Sequence, residues 1–220
     1  MGMPFRVCAS SYDRGEQMEG IDAFLSTLAA AKPFPGGGSA AALAGALAAA
    51  LGEMMAGVTE GREKFAAVER RALEIHAKMA GFRKVLQALV QEDVDAYRSF
   101  MDAMRLPGET EEQKLARAAA IEKSARSATE TPLRTARAAF EVLEYMKILI
   151  EIGNPNARSD AAVGAQLAYA SLKGGQYNVL NNIRVLRDKS FADNCRAEIS
   201  DLVLRGHKTL HQIDGQIADR

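Results

Sequence analysis

Apolar residues recur at the spacing of an α-helix along most of the chain. In segment 21–31, Ile21, Phe24, Leu25 and Leu28 occupy positions i, i+3, i+4 and i+7 of one helical face. Segment 65–105 carries the same period without a proline, at Val85, Leu86, Leu89, Val90, Val94 and Tyr97. We find no convincing alternating strand and no hairpin turn. The chain is therefore predicted to be all-α.

Breaks between the apolar segments divide the chain into about seven to nine predicted helices. Thr110 and Gln113 form a capping box, and Ser39 is predicted to cap an alanine-rich helix. The other predicted boundaries are Pro33–Gly38, Leu106–Glu109, Thr131-Pro132 as a start, Gly153 as a C′ glycine, Ser159-Asp160 as a start, Gly174-Gly175 as a bend or end, and Ser190 as a cap. Residues 18–220 are predicted to form a single-domain helical bundle. Residues 1–17 are predicted to be an N-terminal extension, and disorder is one interpretation of them.

The alanine-rich segment 40–58 is almost free of charge. Its small residues Ala41, Gly45, Ala49 and Gly52 form a thin stripe that lets another backbone approach closely, which predicts a central position in the bundle. Alanine is only weakly hydrophobic and Glu53 interrupts the run, whereas a membrane span needs roughly 20 strongly apolar residues. A buried helix of a soluble protein is therefore expected, with no membrane partner.

Charge and cysteine content exclude several classes of function. Lys plus Arg and Asp plus Glu number 28 each, so nothing favours a nucleic-acid partner or a polybasic membrane arm. Cys8 and Cys195 are too few and too far apart for a disulfide framework, which favours reduced thiols. The first 15 residues lack an apolar run of signal-peptide length. We therefore expect a cytoplasmic protein.

The loop Pro33–Ser39 is the most distinctive candidate site. Three glycines before a helix expose backbone N–H groups at the positive end of the helix dipole, where an anion or a carbonyl-rich ring would bind. A flexible helix entry explains the same residues equally well. The loop is not a P-loop, because no Gly-Lys-Ser/Thr follows it. Neither a dinucleotide loop nor a nucleophile elbow fits, because no strand precedes it and Ala41 replaces the last glycine.

Carboxylates and amides supply the other candidate groups. Asp93 lies beside the apolar face of its helix, where partial burial would tune it as a base or as the partner of a cation. Its neighbours Glu92 and Asp95 are interpreted as solvated. Asp160 lies in the first turn of a predicted helix, where a carboxylate stabilises the helix through the helix dipole, so its presence needs no functional explanation. Asn178 and Asn182 are four residues apart and share a face, so they serve either internal hydrogen bonding or a polar ligand.

The three histidines give no metal site. His207 and His211 are four residues apart, but a third ligand is not evident and the surface interpretation is favoured. His76 is alone and is interpreted as structural. Acid–base chemistry would therefore fall on carboxylates, lysine or tyrosine.

Seven segments, taken in order, resemble one known family. They are Pro33 to Ser39, Gly61-Arg62 with Phe65, Asp93 with Ala96-Tyr97, Leu106-Pro107, Gly153-Asn154, Ser159-Asp160, and Asn178-Val179 with Asn182. The pattern resembles the cyclodeaminase domain of formimidoyltransferase–cyclodeaminase and, equally, the stand-alone methenyltetrahydrofolate cyclohydrolases, over about residues 18–205. It departs from them at Gly108, where members often carry Lys, and in the residues 161–164 and 174–175.

The resemblance implies an all-helical domain in a tight homodimer, with tetrahydrofolate as the substrate carrier and no metal. Two activities are implied. A cyclohydrolase adds water to 5,10-methenyltetrahydrofolate and gives 10-formyltetrahydrofolate, and a cyclodeaminase closes N5-formimidoyltetrahydrofolate with loss of ammonia. We favour cyclohydrolase activity over cyclodeaminase activity, because no formimidoyltransferase domain is fused to this segment. The alternative from another class is a non-catalytic helical folate-binding or partner protein.

The resemblance also assigns roles to residues of this chain. Asp93 is expected to be the base or the anion beside the cationic carbon, with Asp160 as the second candidate. Arg62 and Lys64 are expected to meet the glutamate tail, and Asn178 and Asn182 the pterin. Backbone groups of the glycine loop are expected to hold the ligand, at Pro35, Gly36, Gly37, Gly38 and Ser39.

Overall fold

The computed structural model describes residues 16–31 and 33–218, with side chains from residue 20 onward. These residues form six α-helices and contain no β-strand. The helices are α1 (Glu16–Ala29), α2 (Gly37–Gly57), α3 (Glu69–Met104), α4 (Glu111–Ile152), α5 (Arg158–Asn182) and α6 (Lys189–Ala218), with 3₁₀ turns at Glu63–Phe65, Pro155–Ala157 and Ile183–Val185. The predicted all-α class is confirmed. The predicted extension, residues 1–17, lies outside the described residues except for its last two positions, and so does Cys8.

The chain divides into two compact units, residues 1–35 and residues 36–220. The first unit contains α1, whose Ile21 and Leu25 are exposed. It ends at Pro35, which follows a cis peptide bond to Phe34. The second unit contains α2 to α6 and all the candidate site residues other than Pro35.

In the second unit, α2 packs against α3, α4 and α5, and α6 packs against α4 and α5. One core cluster joins α2, α3, α4, α5 and the C-terminal part of α6 through fully buried residues such as Met55, Ile75 and Leu149. A second cluster joins α4, α5 and α6 through Leu133, Leu172 and Ile199. The helices α4, α5 and α6 contribute to both clusters, so they connect the two halves of the core.

The thin stripe of small residues on α2 packs against other helices of the same chain. Ala41 and Ala49 are buried, a Cβ on Gly45 would lie 2.7 Å from Ser171 Oγ and 3.0 Å from Leu86 Cδ2, and one on Gly52 would lie 2.6 Å from Met79 Cε. The predicted central position of this helix is therefore confirmed. Within the described residues, α2 is also the one helix long and apolar enough to cross a membrane, but half of its apolar window is buried in the bundle. The core helix of a soluble protein passes the same test.

The described residues form fewer helices than the sequence predicts, because two predicted breaks do not occur. Pro132 lies inside α4, which is continuous over 42 residues, and α5 passes through Gly174-Gly175 without ending. A proline inside a helix removes the N–H that would donate to the carbonyl four residues earlier. Here that carbonyl, on Ala128, accepts a hydrogen bond from Asn182 Nδ2 at 2.6 Å. A side chain of α5 thus supplies the bond that Pro132 cannot make.

Several helix ends differ in detail from the prediction. The capping box of Thr110 and Gln113 is present as predicted. Asp188, not Ser190, caps α6, with Oδ1 accepting from Phe191 N at 3.0 Å. Gly153 ends α4 with φ of −79°, outside the left-handed region predicted for a C′ glycine. A Cβ on Gly153 would lie 2.5 Å from the Leu149 carbonyl oxygen, so close packing explains this glycine.

Gly45→Leu is expected to destabilise the fold by about 1–3 kcal/mol, because the larger side chain must displace Ser171 and Leu86. The free energy of unfolding from urea titration measures this effect. Gly81→Ala is the matched control, since a Cβ there meets nothing within 4 Å. It should stabilise the exposed surface of α3 by about 0.5–1 kcal/mol. Equal stability of the two variants would contradict the close packing of α2.

Candidate active site

The N-terminus of α2 forms one side of the candidate site. The helix begins at Gly37 after the extended Gly36, and no side chain of the segment itself caps it. Ala40 N donates to the Gly36 carbonyl at 3.0 Å, so the N–H groups of residues 37–39 precede the first helical hydrogen bond. Donors and the positive end of the helix dipole therefore meet at the glycine loop. Ser39 was predicted to cap this helix, and that prediction is wrong.

The side chain of Ser39 instead reaches α3. Its hydroxyl donates to Asp93 Oδ2 at 2.8 Å, and Ser39 is fully buried. The Ser39 backbone N–H also hydrogen-bonds to the Asp93 carboxylate. Asp93 thus occupies the N-terminus of α2 from a neighbouring helix and brings an anion to the positive helix end.

Gly38 is required by the position of this carboxylate. A Cβ on Gly38 would lie 2.1 Å from Asp93 Oδ1, 2.6 Å from Cγ and 2.8 Å from Oδ2. These distances are far below van der Waals contact, so the carboxylate packs directly on the α-carbon of residue 38. The third glycine of the loop is thereby explained by a contact between two helices.

Burial raises the pKa of the Asp93 carboxyl, and the two hydrogen bonds from Ser39 oppose that rise. Removing water disfavours the charged form of an acid, whereas donors to the carboxylate favour it. Asp93 therefore binds a proton more readily than a surface aspartate. A carboxylate of this kind is suited to accept and release a proton during a reaction.

The neighbours of Asp93 have different environments, as the sequence pattern predicted. Asp95 is exposed and accepts from Gln91 Nε2 at 2.9 Å. Glu92 is about two-fifths exposed and pairs with Arg134 of α4. Of the three acidic residues in this turn, Asp93 is the one that is both half-buried and hydrogen-bonded to α2.

Asn178 lies on the other side of the glycine loop. A Cβ on Gly37 would be 3.9 Å from Asn178 Nδ2, which donates to the Gly174 carbonyl at 2.8 Å. Within the described residues the Asn178 carbonyl oxygen accepts no hydrogen bond, so it remains able to bind a ligand donor. The donor group of Asn182, by contrast, is engaged with the Ala128 carbonyl. Asn182 therefore makes an internal hydrogen bond beside Pro132, which is one of the two alternatives that the sequence pattern left open.

Three predicted site residues lie at the opposite end of the bundle. Arg62 and Lys64 are exposed and follow the C-terminus of α2, about 30 Å from its N-terminus at 1.5 Å per residue. Asp160 is at the same end, because Asn154 just before α5 donates to Thr59 Oγ1 at 3.1 Å. Arg62, Lys64 and Asp160 therefore lie at the other end of the bundle from Asp93.

Metal ligands are not clustered in the part of the chain that the structure describes, where no group of three or more His, Cys, Asp and Glu side chains is placed to hold a metal. His207 and His211 are exposed on α6. Cys195 is buried in the second core cluster, and burial raises the pKa of its thiol. The candidate site is therefore built from Gly37, Gly38, Ser39, Asp93 and Asn178.

Comparison with known proteins shows to which family the chain belongs. A model of the formiminotransferase-cyclodeaminase family matches residues 20–201, which include every residue of the candidate site. The chain belongs to the formiminotransferase-cyclodeaminase family. The family predicted from the seven sequence segments is confirmed.

Within the formiminotransferase-cyclodeaminase family, similar proteins carry two different names. The methenyltetrahydrofolate cyclohydrolase of Methylorubrum extorquens is 40% identical over 84% of this chain and 89% of that protein. The formimidoyltransferase-cyclodeaminase of Gallus gallus is 30% identical over 91% of this chain but only 36% of that protein. A crystal structure of formiminotetrahydrofolate cyclodeaminase from Thermotoga maritima superposes with a TM-score of 0.80 at 25% identity, covering 94% of this chain and 97% of that one.

Ser39→Ala is expected to move the acidic limb of the pH–rate profile to higher pH. The substitution removes a hydrogen bond that lowers the Asp93 pKa, so burial dominates and the carboxylate forms only at higher pH. The profile of kcat/KM against pH measures the shift. Ser200→Ala is the control, because Ser200 is exposed on α6 and bonds only within its own helix. An unchanged acidic limb in Ser39→Ala would show that Asp93 does not set it.

Proposed function

We propose that this chain is a methenyltetrahydrofolate cyclohydrolase, which converts 5,10-methenyltetrahydrofolate and water into 10-formyltetrahydrofolate. The observation that carries the proposal is the half-buried Asp93 carboxylate over Gly38, at the N-terminus of α2. The relative from Methylorubrum extorquens supports the choice of reaction, because the alignment covers most of both chains. Tetrahydrofolate is then the carrier of the one-carbon unit, and Asp93 is the catalytic residue.

The proposed reaction begins at the cationic carbon between N5 and N10. The Asp93 carboxylate faces this cation and accepts a proton from water as the water oxygen bonds to the carbon. The resulting tetrahedral centre loses its bond to N5, and the electron pair of that bond remains on N5. The hydroxyl proton of the tetrahedral centre moves to N5, and the carbon stays on N10 as a formyl group. Asp93 then releases the first proton to solvent.

The glycine loop and Asn178 would position the ligand for this reaction. The N–H groups of Gly37 and Gly38 can donate to the carbonyl oxygen of a pterin, and the Asn178 carbonyl oxygen can accept from the ring N–H groups of the pterin. These groups are neutral, so they do not compete with Asp93 for the cation. Burial around Asp93 strengthens the attraction between its carboxylate and the cationic carbon, because it excludes water.

The second candidate is formimidoyltetrahydrofolate cyclodeaminase activity. It is favoured by the Thermotoga maritima structure, whose name states that activity and which covers nearly the whole of both chains. In that reaction N10 attacks the formimidoyl carbon and ammonia leaves, so the same cation forms and the same carboxylate can carry the proton. The bifunctional relatives add less support, because this chain spans about a third (36%) of the Gallus gallus protein.

Assays of both reactions on the purified chain test the proposal. Loss of the absorbance of 5,10-methenyltetrahydrofolate follows hydrolysis, and its appearance from N5-formimidoyltetrahydrofolate follows ring closure. Hydrolysis alone supports the cyclohydrolase, and ring closure alone supports the second candidate. If the chain catalyses neither reaction but tetrahydrofolate raises its melting temperature, it is a non-catalytic folate-binding protein. Chelators are expected to leave the activity unchanged, and strong inhibition by them would contradict the site.

We also propose that two copies associate through the exposed face of α2. Leu43, Leu47, Leu51 and Met54 share that face at helical spacing, and no charged residue lies among them. Leu47 is 50% exposed and Met54 38% exposed, and Val163 on the adjoining α5 is 54% exposed. A continuous apolar surface of this kind favours an interface with a second copy of the chain.

Leu47→Glu is expected to convert the dimer to a monomer, because it places a charge at the centre of the proposed interface. Sedimentation velocity measures the change. Leu115→Glu is the control, since Leu115 is 72% exposed at the start of α4 and lies away from this face. A wild-type chain that sediments as a stable monomer, or a dimer that persists in Leu47→Glu, would contradict the proposed interface.

A further inference from the structure

The helices α2 and α5 lie side by side and run in opposite directions. A Cβ on Gly174, late in α5, would lie 2.6 Å from the Ala41 Cβ near the start of α2. A Cβ on Gly164, early in α5, would lie 3.3 Å from the Leu51 Cβ in the second half of α2. The start of α5 therefore lies beside the end of α2, and the end of α5 lies beside the start of α2.

Asp160 and Asn178 lie on one side of α5, near its two ends. They are 18 residues apart, which at 3.6 residues per turn is five full turns, so they share a side of the helix and are separated by about 27 Å along its axis. Their midpoint, Tyr169, is also the midpoint of Gly164 and Gly174, so it lies beside the middle of α2. The partly or fully exposed residues between them on that side are uncharged: Val163, Leu167, Ala170 and Gly174.

These α5 residues extend the exposed face of α2 into one apolar surface over two helices. Leu47, the middle residue of α2, is exposed at the centre of this surface. One end of the surface is Asn178 beside the glycine loop, and the other end is Asp160. Asp160 is half-buried, and within the described residues its side chain makes no hydrogen bond and no ion pair. The surface therefore ends at a carboxylate without a partner among the described residues of its own chain.

A twofold axis through the middle of this surface exchanges its two ends if it runs across the helices. With α2 packed on its own copy, a parallel pair would set two positive helix ends and two Asp93 carboxylates side by side. An antiparallel pair opposes the two helix dipoles and keeps the two Asp93 carboxylates at opposite ends. Because Leu47 and Tyr169 are both central, one such axis sets the Asn178 end of one copy against the Asp160 end of the other.

We propose that each active site is completed by Asp160 of the partner subunit, which an antiparallel dimer places opposite Asn178. The carboxylate of the partner's Asp160 accepts from the 2-amino group of the pterin, next to the ring N–H groups that the Asn178 carbonyl accepts. This inference rests on the proposed function for its ligand and on the proposed α2 interface for its geometry. The same axis brings the partner's Arg62 and the partner's Lys64 to the end of the bundle where Asp93 lies.

Mixed dimers of two impaired variants test the shared site. Asp160→Asn is expected to lower kcat/KM about tenfold or more, the usual effect of losing one charge-assisted hydrogen bond, without lowering the melting temperature. A purified dimer of one Asp160→Asn chain and one Asp93→Asn chain should recover about half of the wild-type activity, because one of its two sites keeps both carboxylates.

The reciprocal dimer is the matched control. It pairs a wild-type chain with a chain that carries both Asp93→Asn and Asp160→Asn, so each of its sites lacks one carboxylate and its activity should stay about tenfold below that of the first mixed dimer. The opposite ranking of the two dimers would show that Asp160 acts within its own chain. That ranking, or wild-type activity in Asp160→Asn, overturns the proposal.

Cross-linking tests the same arrangement without reference to activity. In a chain with Cys8→Ser and Cys195→Ala, the pair Asp160→Cys and Asn178→Cys should join two chains through a short thiol cross-linker, since within one chain the two positions are about 27 Å apart. Either cysteine alone should leave the chains separate on a denaturing gel. A link with Asp160→Cys alone shows a parallel dimer, and that result or no link with the pair overturns the proposal. If the wild-type chain catalyses neither reaction, the proposed function fails, and the cross-link still decides whether Asp160 of the partner subunit faces Asn178.

Discussion

Asp93→Asn is expected to lower kcat for hydrolysis of 5,10-methenyltetrahydrofolate by about 10²–10⁴-fold, the usual effect of losing a positioned acid–base group. The amide keeps the size of the carboxylate and still accepts a hydrogen bond from Ser39, so the contact between α2 and α3 persists. Removing a charge that burial disfavours should also leave the melting temperature unchanged or higher. Steady-state kinetics and thermal unfolding of the same preparation measure both effects.

Asp95→Asn is the matched control for this prediction. Asp95 lies two residues away on α3, about 200° around the helix, and its side chain is 59% exposed. Greater loss of activity in Asp95→Asn than in Asp93→Asn, at equal melting temperature, would show that the wrong carboxylate has been chosen. If neither substitution lowers activity, Asp160 becomes the candidate base.

The same residue predicts how stability depends on pH. The folded chain binds the Asp93 proton more tightly than the unfolded chain, because the pKa is raised above its ordinary value of 3.8. The contribution of this carboxyl to stability is therefore largest when it is protonated, and it falls as the pH rises above about 3.8 toward the folded value. Asp93→Asn should remove that decline, and urea unfolding at several pH values measures it.

Gly38→Ala is expected to abolish most of the activity while keeping the fold. The added methyl group would lie 2.1 Å from Asp93 Oδ1, so the carboxylate must leave its position at the N-terminus of α2. Because Asp93 is only half-buried, its side chain can rotate toward solvent, and the loss in kcat should approach that of Asp93→Asn, about 10²-fold or more. Kinetic assays and circular dichroism of the variant measure activity and helix content.

A double-mutant cycle makes this prediction sharper. If Gly38→Ala acts through Asp93, it should cause little further loss of activity in the Asp93→Asn background. Gly81→Ala is the control, since that glycine is exposed on the same helix as Asp93 and a Cβ there meets nothing. Additive effects of Gly38→Ala and Asp93→Asn would show that the glycine serves the ligand or the helix independently of the carboxylate.

The sequence by itself determined the helical class and the family. Helical period and the Thr110–Gln113 capping box depend on residues within a few positions of one another, so local rules are enough to predict them. The family motifs are likewise contiguous segments read in order, and the match over residues 20–201 agrees with them. The distinction of Asp93 from Glu92 and Asp95 also follows locally, because only the first lies beside the apolar stripe of α3.

Only the tertiary structure decided how these segments meet. Ser39 and Asp93 are 54 residues apart, so the hydroxyl that a local rule assigns to a helix cap is bonded instead to another helix. Pro132 remains inside α4 because Asn182, 50 positions later, replaces its missing donor. Arg62, Lys64 and Asp160 lie far from Asp93 because α2 and α5 are long and antiparallel. Residues that share a motif pattern can therefore lie at opposite ends of a bundle, since helix length and packing direction set their separation.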